Sequence, residues 1–377
     1  MNIGFLTNDI TGIGGSKKVT CLLANEMAKN NTVKIISLFR SGNIEFDLDS
    51  NIEIEYLYNK EIKLYELSTY KKMVQSKQYK EVFALFLNLF YISFTIAFKF
   101  IKVRKLTKEL NKIIIPEIYG LLFTPIFDKK QEVIVHLHHT YEYIIKNKVN
   151  KFMLLNYKNK IHTLVVLTDK DKENFSKYKF NSITRIYNPI NGSKIKRDFI
   201  DNRIIFIGRL DFIKGIDYLK EIILSLRVDF ILEVYGEGPL RQDLEQFVVQ
   251  NKLQDKVKIK GFIQDIPGVL KGANCLLNTS RHEGLPMTFL EAFQCEVPIV
   301  ASESFPAIKE IIQDGINGYV YKQEDIKNCI DKIEMLINDK NLNNKLGKGS
   351  GECYENFEMQ CIIKQWNLIL EKRMSMW

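Results

Sequence analysis

The sequence predicts an α/β protein of two domains, each built on an open parallel sheet, and three observations carry that prediction. Short apolar runs alternate with longer helical patterns along the whole chain, the signature of βαβ units. At 377 residues the chain exceeds what one hydrophobic core usually holds. The stretch NPINGSKIKRDFIDN (188–202) is polar, contains Pro and Gly, and reads as a linker near the middle.

In the first half, NIGFL (2–6), VKIISL (33–38), IEIEYL (52–57), IIIP (113–116), VIVHL (133–137) and TLVVLT (163–168) are runs of strand length, rich in Ile and Val. Residues 15–29 predict a helix directly after the first strand, across the glycine loop GIGG (12–15). In the second half the strands are RIIFIG (203–208), FILEVYG (230–236), KVKIKGF (256–262), CLLNTS (275–280) and PIVAS (298–302). They alternate with helical stretches at 214–227, 238–250 and 286–295. Two Rossmann-like domains follow: 1–188, then 189–357. A last helical stretch in 358–377 comes after the second pattern has ended and is expected to pack back on the first domain.

One segment breaks the rhythm. VFALFLNLFYISFTIAF (82–98) runs 17 residues without a charge and is followed by KFIKVRK (99–105). A helix buried in the first domain competes here with an interfacial helix that puts Phe and Leu toward lipid and Lys99, Lys102, Arg104 and Lys105 at headgroups. A true span fits least, because about 20 apolar residues are wanted and sheet-forming sequence lies on both sides.

Composition is that of an ordinary globular protein, with 46% apolar and 26% charged residues. Charge is uneven: residues 1–190 carry a net +11 and residues 191–377 a net −2. The first half is therefore expected to meet something anionic. No basic stripe with interleaved aromatics marks a nucleic-acid module, so a membrane surface met through 82–105 is the expectation and nucleic acid is not. The six cysteines are scattered without C-x-x-C or metal spacing, and several sit in apolar runs, as reduced core residues would. MNIGFLTNDI lacks the basic region and long apolar core of a signal peptide, which points to the cytoplasm, on the inner face of the membrane if the surface contact holds.

The chemistry concentrates in RHEGLPMTFLEAF (281–293). Gly284 breaks regular structure, Pro286 suits the start of a helix, and Met287, Phe289, Leu290, Ala292 and Phe293 supply its apolar faces. Glu283 then precedes the helix and Glu291 lies inside it. Eight residues of helix rise roughly 12 Å, more than the about 5–9.5 Å that separates a glycosidase acid/base pair. Two ends of a long ligand fit better, with an anion between them on the free backbone N–H groups of residues 285–288 at the helix N-terminus, so Gly284, Leu285 and Pro286 join the donor-binding candidates. Two unrelated surface glutamates would give the same spacing. IGRLDFIKGID (207–217) places Arg209 and Lys214 in a loop after a strand, where two cations suit a phosphate. YGEGPLR (235–241) adds the Gly236 turn, and Phe262 follows the next strand. All lie at carboxyl ends of strands, the ligand edge of open α/β sheets.

Taken in order, GRLDFIKG, YGEGP, the GF turn at 261–262, SRHEGLPMTFLEAF, VPIVAS and EIIQDGINGYV (310–320) resemble glycosyltransferase family 4. GIGG and YNPI (187–190) agree, and the Glu-x7-Glu pair at 283 and 291 is that family's signature. The chain departs from the pattern at Glu296, where glycine is frequent, and at SESFPAI (302–308), which stands in place of a Gly-Gly turn. The resemblance implies the GT-B fold, two Rossmann-like domains facing a central cleft.

It also implies a retaining, metal-independent enzyme that moves a sugar from a nucleotide donor, most often a UDP-sugar. The acceptor would be a glycan, lipid-linked or polymer species in cell-surface polysaccharide or glycoconjugate synthesis. By the same resemblance Arg209 and Lys214 bind the donor diphosphate, Glu283 faces the donor sugar and Glu291 holds the ribose. Gly14 and Gly15 belong to a loop closing over the phosphates. One of His136, His138 and His139 stands near the reacting sugar; His138 and His139, nearest the loop, are preferred, against strand-end residues with only local hydrogen bonds. No cofactor is expected. A homo- or hetero-oligomer is compatible with this reading. The competing readings are a nucleotide-sugar epimerase, which lacks the Glu-x7-Glu arrangement, and a non-catalytic partner subunit of the same fold in a glycosyltransferase complex.

Overall fold

The computed structural model describes residues 1–59, 95 and 97–372. They form two compact units. The first comprises Met1–His138, Ile144–Val165 and Ser176–Thr184; the second comprises His139–Tyr143, Val166–Phe175 and Arg185–Trp377.

The first unit holds strands β1 (Asn2–Asp9), β2 (Thr32–Phe39), β3 (Glu53–Tyr58), β4 (Lys112–Ile115), β5 (Glu132–His136), β6 (Ile161–Val166) and β7 (Ile183–Arg185), in the order β3-β2-β1-β4-β5-β6-β7. Strands covered on both faces read as continuous apolar runs, which is why Ile113, Ile114 and Ile115 are consecutive and all fully buried. Lys112 opens the same buried strand with its charge matched by Glu132 at 2.5 Å. Val19, Leu23, Ala24 and Met27, on one side of the helix Gly15–Ala28, are buried against this sheet.

The second sheet repeats the plan with β8 (Arg203–Ile207), β9 (Ile231–Tyr235), β10 (Val257–Gly261), β11 (Cys275–Asn278), β12 (Ile299–Ser302) and β13 (Gly318–Tyr321). Its order is β10-β9-β8-β11-β12-β13, and the measured pairings are all parallel. Phe206, Phe230, Leu232, Val234 and Ile333 anchor its core at 2% exposure or less. Each such side chain contributes about 1.5–3 kcal/mol by leaving water. In both sheets the order reverses beside the first strand, so β1/β4 and β8/β11 are switch points, where an open α/β sheet leaves a crevice beyond its carboxyl edge.

All eleven expected strands are present. β7 and β13 were not expected, nor were the helices Ile326–Asn338 and Lys340–Tyr354. The helix Met359–Glu371 belongs to the second unit, which it joins through a bridge from Ile190 to Glu358. Phe289 and Phe293 are fully buried, as core residues. Glu296 takes φ 55°, a left-handed conformation, and this is the physical reason glycine suits the position.

Of the charge-free run 82–98, only residues 95, 97 and 98 are described; the rest lies outside the described residues. Among those described, no helix is long and apolar enough to cross a membrane. Residues 97–107 are helical. Two of the four cations expected at headgroups turn inward instead. Lys99 donates to the Leu57 carbonyl and lies 4.5 Å over the Tyr58 ring; Lys102 bonds the Tyr56 carbonyl and Glu55, each at 3.0 Å. Both tie the helix to β3, while Arg104 and Lys105 remain exposed.

Candidate functional site

Two loops at the switch point of the second sheet build the candidate site. The loop after β8 turns tightly: Asp211, 8% exposed, accepts from the Lys214 N–H at 3.0 Å and also binds Arg209 through the guanidinium. Arg209 thus lies at the rim with its side chain 66% exposed and its guanidinium held by Asp211. The loop after β11 carries Ser280, Arg281, His282 and Glu283. Lys214 Nζ forms an ion pair with Glu283, and Ser280 donates to the same carboxylate at 2.9 Å. Lys214 and Glu283 therefore meet directly, and Arg209 is joined to the same loop through Asp211, which binds its guanidinium and the Lys214 N–H.

The loops are bonded to each other. Thr279 Oγ1 donates to the Lys214 carbonyl at 2.8 Å and the Gly215 carbonyl at 3.1 Å. Gly215 has φ +68°, and a Cβ there would lie 2.1 Å from the Thr279 carbonyl oxygen, so only glycine fits. Arg281 donates to the Phe212 carbonyl at 2.7 Å, clasps Asp217, and stacks on Phe212 and Tyr218 at 3.9 and 4.3 Å. The Arg281 hydrogen bond is the main cause that holds the Asp217 carboxyl below its usual range.

Gly236 is constrained from within the fold: φ is +141°, and an added Cβ would lie 1.9 Å from the Gly208 carbonyl oxygen. Phe262, just past β10, is 45% exposed. Leu285 is buried, and Pro286 caps the helix Met287–Gln294 rather than opening it. Since Pro has no N–H, the anion-binding donors left at this end are those of Leu285, Met287 and Thr288. Glu291, the fifth residue of that helix, is 1% exposed.

In the first unit, Gly14 caps the helix Gly15–Ala28 with φ 169°, an extended value open to any residue, and a Cβ there would come no nearer than 3.6 Å to Lys17. The fold does not demand glycine at 14; it does at Gly12, where φ is +73°.

The three histidines separate. His136 and His138 belong to the first unit, their rings 4.2 Å apart; burial lowers the pKa of His136 to about 3. His139 belongs to the second unit. Its ring stacks on Tyr143 at 4.3 Å, and Tyr143 stacks on His282 at 5.3 Å. Burial, then the neighbouring His282, lowers the His139 pKa, while Glu283 opposes them. So His139 is drawn to the Glu283 loop and His138 is not part of that stack. Asp211, Thr279, Ser280, Tyr143 and His282 were missed. Ser280, His282 and Thr279 flank or lie within the quoted motif, whereas nothing in the sequence ties Tyr143 to it.

With this geometry in place, comparison with known proteins adds the following. Residues 193–352 match the family model described as glycosyl transferases group 1. The chain is 25% identical, over 97% of each sequence, to the GalNAc-alpha-(1->4)-GalNAc-alpha-(1->3)-diNAcBac-PP-undecaprenol alpha-1,4-N-acetyl-D-galactosaminyltransferase of Campylobacter jejuni. Its structure resembles that of HepE from Anabaena, solved with UDP and glucose, at TM-score 0.77 and 16% identity, covering 98% of this chain and 99% of that one. It also resembles TarM of Staphylococcus aureus, solved with Fondaparinux, alpha-GlcNAc-glycerol and UDP (TM-score 0.63, 21% identity, 69% of this chain), but spans only 55% of that protein. The architecture is thus GT-B, and its second unit holds the segment similar to the group 1 glycosyl transferases.

Proposed function

We propose that this protein is a retaining glycosyltransferase that moves a sugar from a UDP-sugar to a glycan, lipid-linked or polymer acceptor in cell-surface polysaccharide or glycoconjugate synthesis. The observation that carries the proposal is the Arg209, Lys214 and Glu283 constellation at the switch point of the second sheet, followed directly by the Glu291 helix. The match over 193–352 and the UDP-bound structural relatives support it. Arg209 and Lys214 would take up the charge on the departing diphosphate, with the Leu285, Met287 and Thr288 N–H groups as further donors. When a diphosphate arrives, Lys214 exchanges a carboxylate partner for a phosphate one, and Glu283 is released toward the sugar. Glu291 would hold the ribose hydroxyls, and His139, neutral near pH 7, would lie beside Glu283 as a hydrogen-bonding group for the donor sugar. Charge neutralisation by these side chains needs no metal. The acceptor would be met at the inner face of the membrane.

The test is release of free nucleotide diphosphate from a panel of UDP-, GDP- and ADP-sugars. One UDP-sugar should turn over, with Arg209→Ala and Lys214→Ala slower by roughly 10²–10³-fold, the effect of removing one charge-stabilising donor. Glu291→Ala should raise KM for that donor. Donor binding without release from any sugar would sink the catalytic reading in favour of a partner subunit.

A further inference from the structure

One face of the first sheet carries three elements with a shared surface character. The strand order runs from β1 outward through β2 to β3 and then from β4 through β5 to β6. With right-handed crossovers, the connections into β4, β5 and β6 therefore fall on a single face. These are the helix at 97–107, the 3₁₀ segment Ile118–Ile126 and the helix Lys148–Asn156. The 3₁₀ segment lies in the middle. The Phe100 and Phe123 rings meet at 4.8 Å, and the helix Lys148–Asn156 packs on its other side.

Each element buries one side and leaves an apolar pair outside. Val103 and Thr107 are buried, while Phe98 and Ile101 are 67% and 68% exposed. Met153 and Leu154 are buried, while Val149 and Phe152 are 55% and 67% exposed. In the middle, residues three apart eclipse in a 3₁₀ helix, so Tyr119 and Leu122 form one outward ridge. Each pair is spaced i, i+3 on its own element. Large apolar side chains gathered in this way are unusual on a surface that meets only water.

Charge selects the partner. The three elements contain no Asp or Glu, but Arg104, Lys105, Lys148 and Lys151 are exposed on them. Glu109 and Asp128 flank the face, each beside exposed lysines, Lys108 and Lys129. On the helix at 97–107, Lys105 continues the stripe of Phe98 and Ile101, so the apolar side chains and the cation face the same way.

We propose that this face docks on an anionic lipid bilayer, with Phe98, Ile101, Tyr119, Leu122, Val149 and Phe152 entering the headgroup region and the lysines pairing with lipid phosphates. Apolar insertion plus cationic attraction is how a surface of this kind binds without spanning. The docking does not depend on the transfer chemistry.

The experiment is co-sedimentation of the full chain with vesicles of phosphatidylcholine alone or with phosphatidylglycerol. The wild type should bind the anionic vesicles, release them as salt rises, and ignore the neutral ones. The double variants Phe98→Ser/Ile101→Ser and Val149→Ser/Phe152→Ser should each weaken binding at least tenfold, and Lys148→Glu/Lys151→Glu should do so through its salt dependence. Leu368→Ser, which removes an equally exposed apolar side chain (71%) from the second unit, should leave binding unchanged. Nucleotide release in lipid-free buffer, followed in parallel, should be unaltered in these variants, so failure of docking is distinguishable from failure of the transferase reading. Absence of binding to anionic vesicles, equal binding by the double variants, or a concentration-dependent dimer lost in the same variants would overturn the proposal.

Discussion

His136 and His139 are three residues apart and live in different electrostatic worlds. Strand β5 ends at His136, so the two-residue alternation that governs side-chain direction stops there. Alternation along the strand puts His136 and His138 on one side, and their rings do meet, whereas the expectation had paired His138 with His139. Alternation could not say where His139 goes, because beyond the strand the direction depends on the Tyr143 and His282 rings, which are distant in sequence or unmarked by any motif. Buried His136 makes a measurable contribution to acid sensitivity. Its pKa in the folded chain, about 3, lies below that of an unfolded histidine, about 6.5, so the unfolded chain binds the extra proton first. Stability is therefore whole above pH 6.5 and falls as the pH drops toward 3. At pH 5 the loss from this one group should be about 2 kcal/mol. Denaturant titrations of His136→Gln at pH 7 and pH 5 should show a smaller fall between the two pH values than the wild type shows. An equal fall in both would mean that other groups set the acid sensitivity.

At the scale of elements, strands were the legible part and the joins between them were not. Parallel strands buried on both faces are written as unbroken Ile/Val/Leu runs, and those runs need no context to be recognised. β13 escaped because Gly318 and Tyr319 interrupt that pattern; its glycine is there because a Cβ would lie 2.2 Å from the Ile299 carbonyl oxygen of the neighbouring strand. The helix Ile326–Asn338 was legible and went unread: Ile326, Cys329, Ile330, Ile333, Leu336 and Ile337 recur at helical spacing and are its buried face. The helix Lys340–Tyr354 was not, because its buried face includes Gly347, Gly349 and Gly351 in place of an apolar stripe. Arg209, Lys214 and Glu283 were legible as a motif, but the joint that fixes Lys214 was not. That joint is Gly215, held against Thr279 of a loop more than sixty residues away. Gly215→Ala should be destabilising twice over: a left-handed alanine costs about 1–2 kcal/mol, and separating two backbones costs about 1–3 kcal/mol. Denaturant unfolding should show a loss of roughly 2–5 kcal/mol, with weakened nucleotide binding. Wild-type stability in this variant would show that the two loops part easily, and that the Lys214 position is not fixed by the turn.

For the whole molecule, length and the 188–202 linker foretold two parallel-sheet units, whereas the membership of His139–Tyr143 and Val166–Phe175 in the second could not be read from any local pattern. Membership of that kind is a property of tertiary contacts, and no residue advertises it. The consequence for function is that Arg209, Lys214, Glu283, Glu291 and His139 all belong to one unit. Trp366 does as well, and it is fully buried there. The fluorescence of Trp366 therefore follows the unfolding of the second unit, the one that carries the proposed nucleotide site. A ligand that binds only the folded state stabilises it by about 2.7 kcal/mol at a hundred times its Kd. Each kcal/mol moves the midpoint of a unit of this size by about 2–4 °C. UDP at that concentration should raise the fluorescence-detected Tm by roughly 5–10 °C, GDP and ADP should raise it less, and Lys214→Ala should abolish the UDP response. A shift that persists in Lys214→Ala would place the nucleotide elsewhere on the chain. No shift with any nucleotide would remove the basis for reading Lys214 and Glu283 as parts of a donor site, leaving their ion pair as a clasp between two loops.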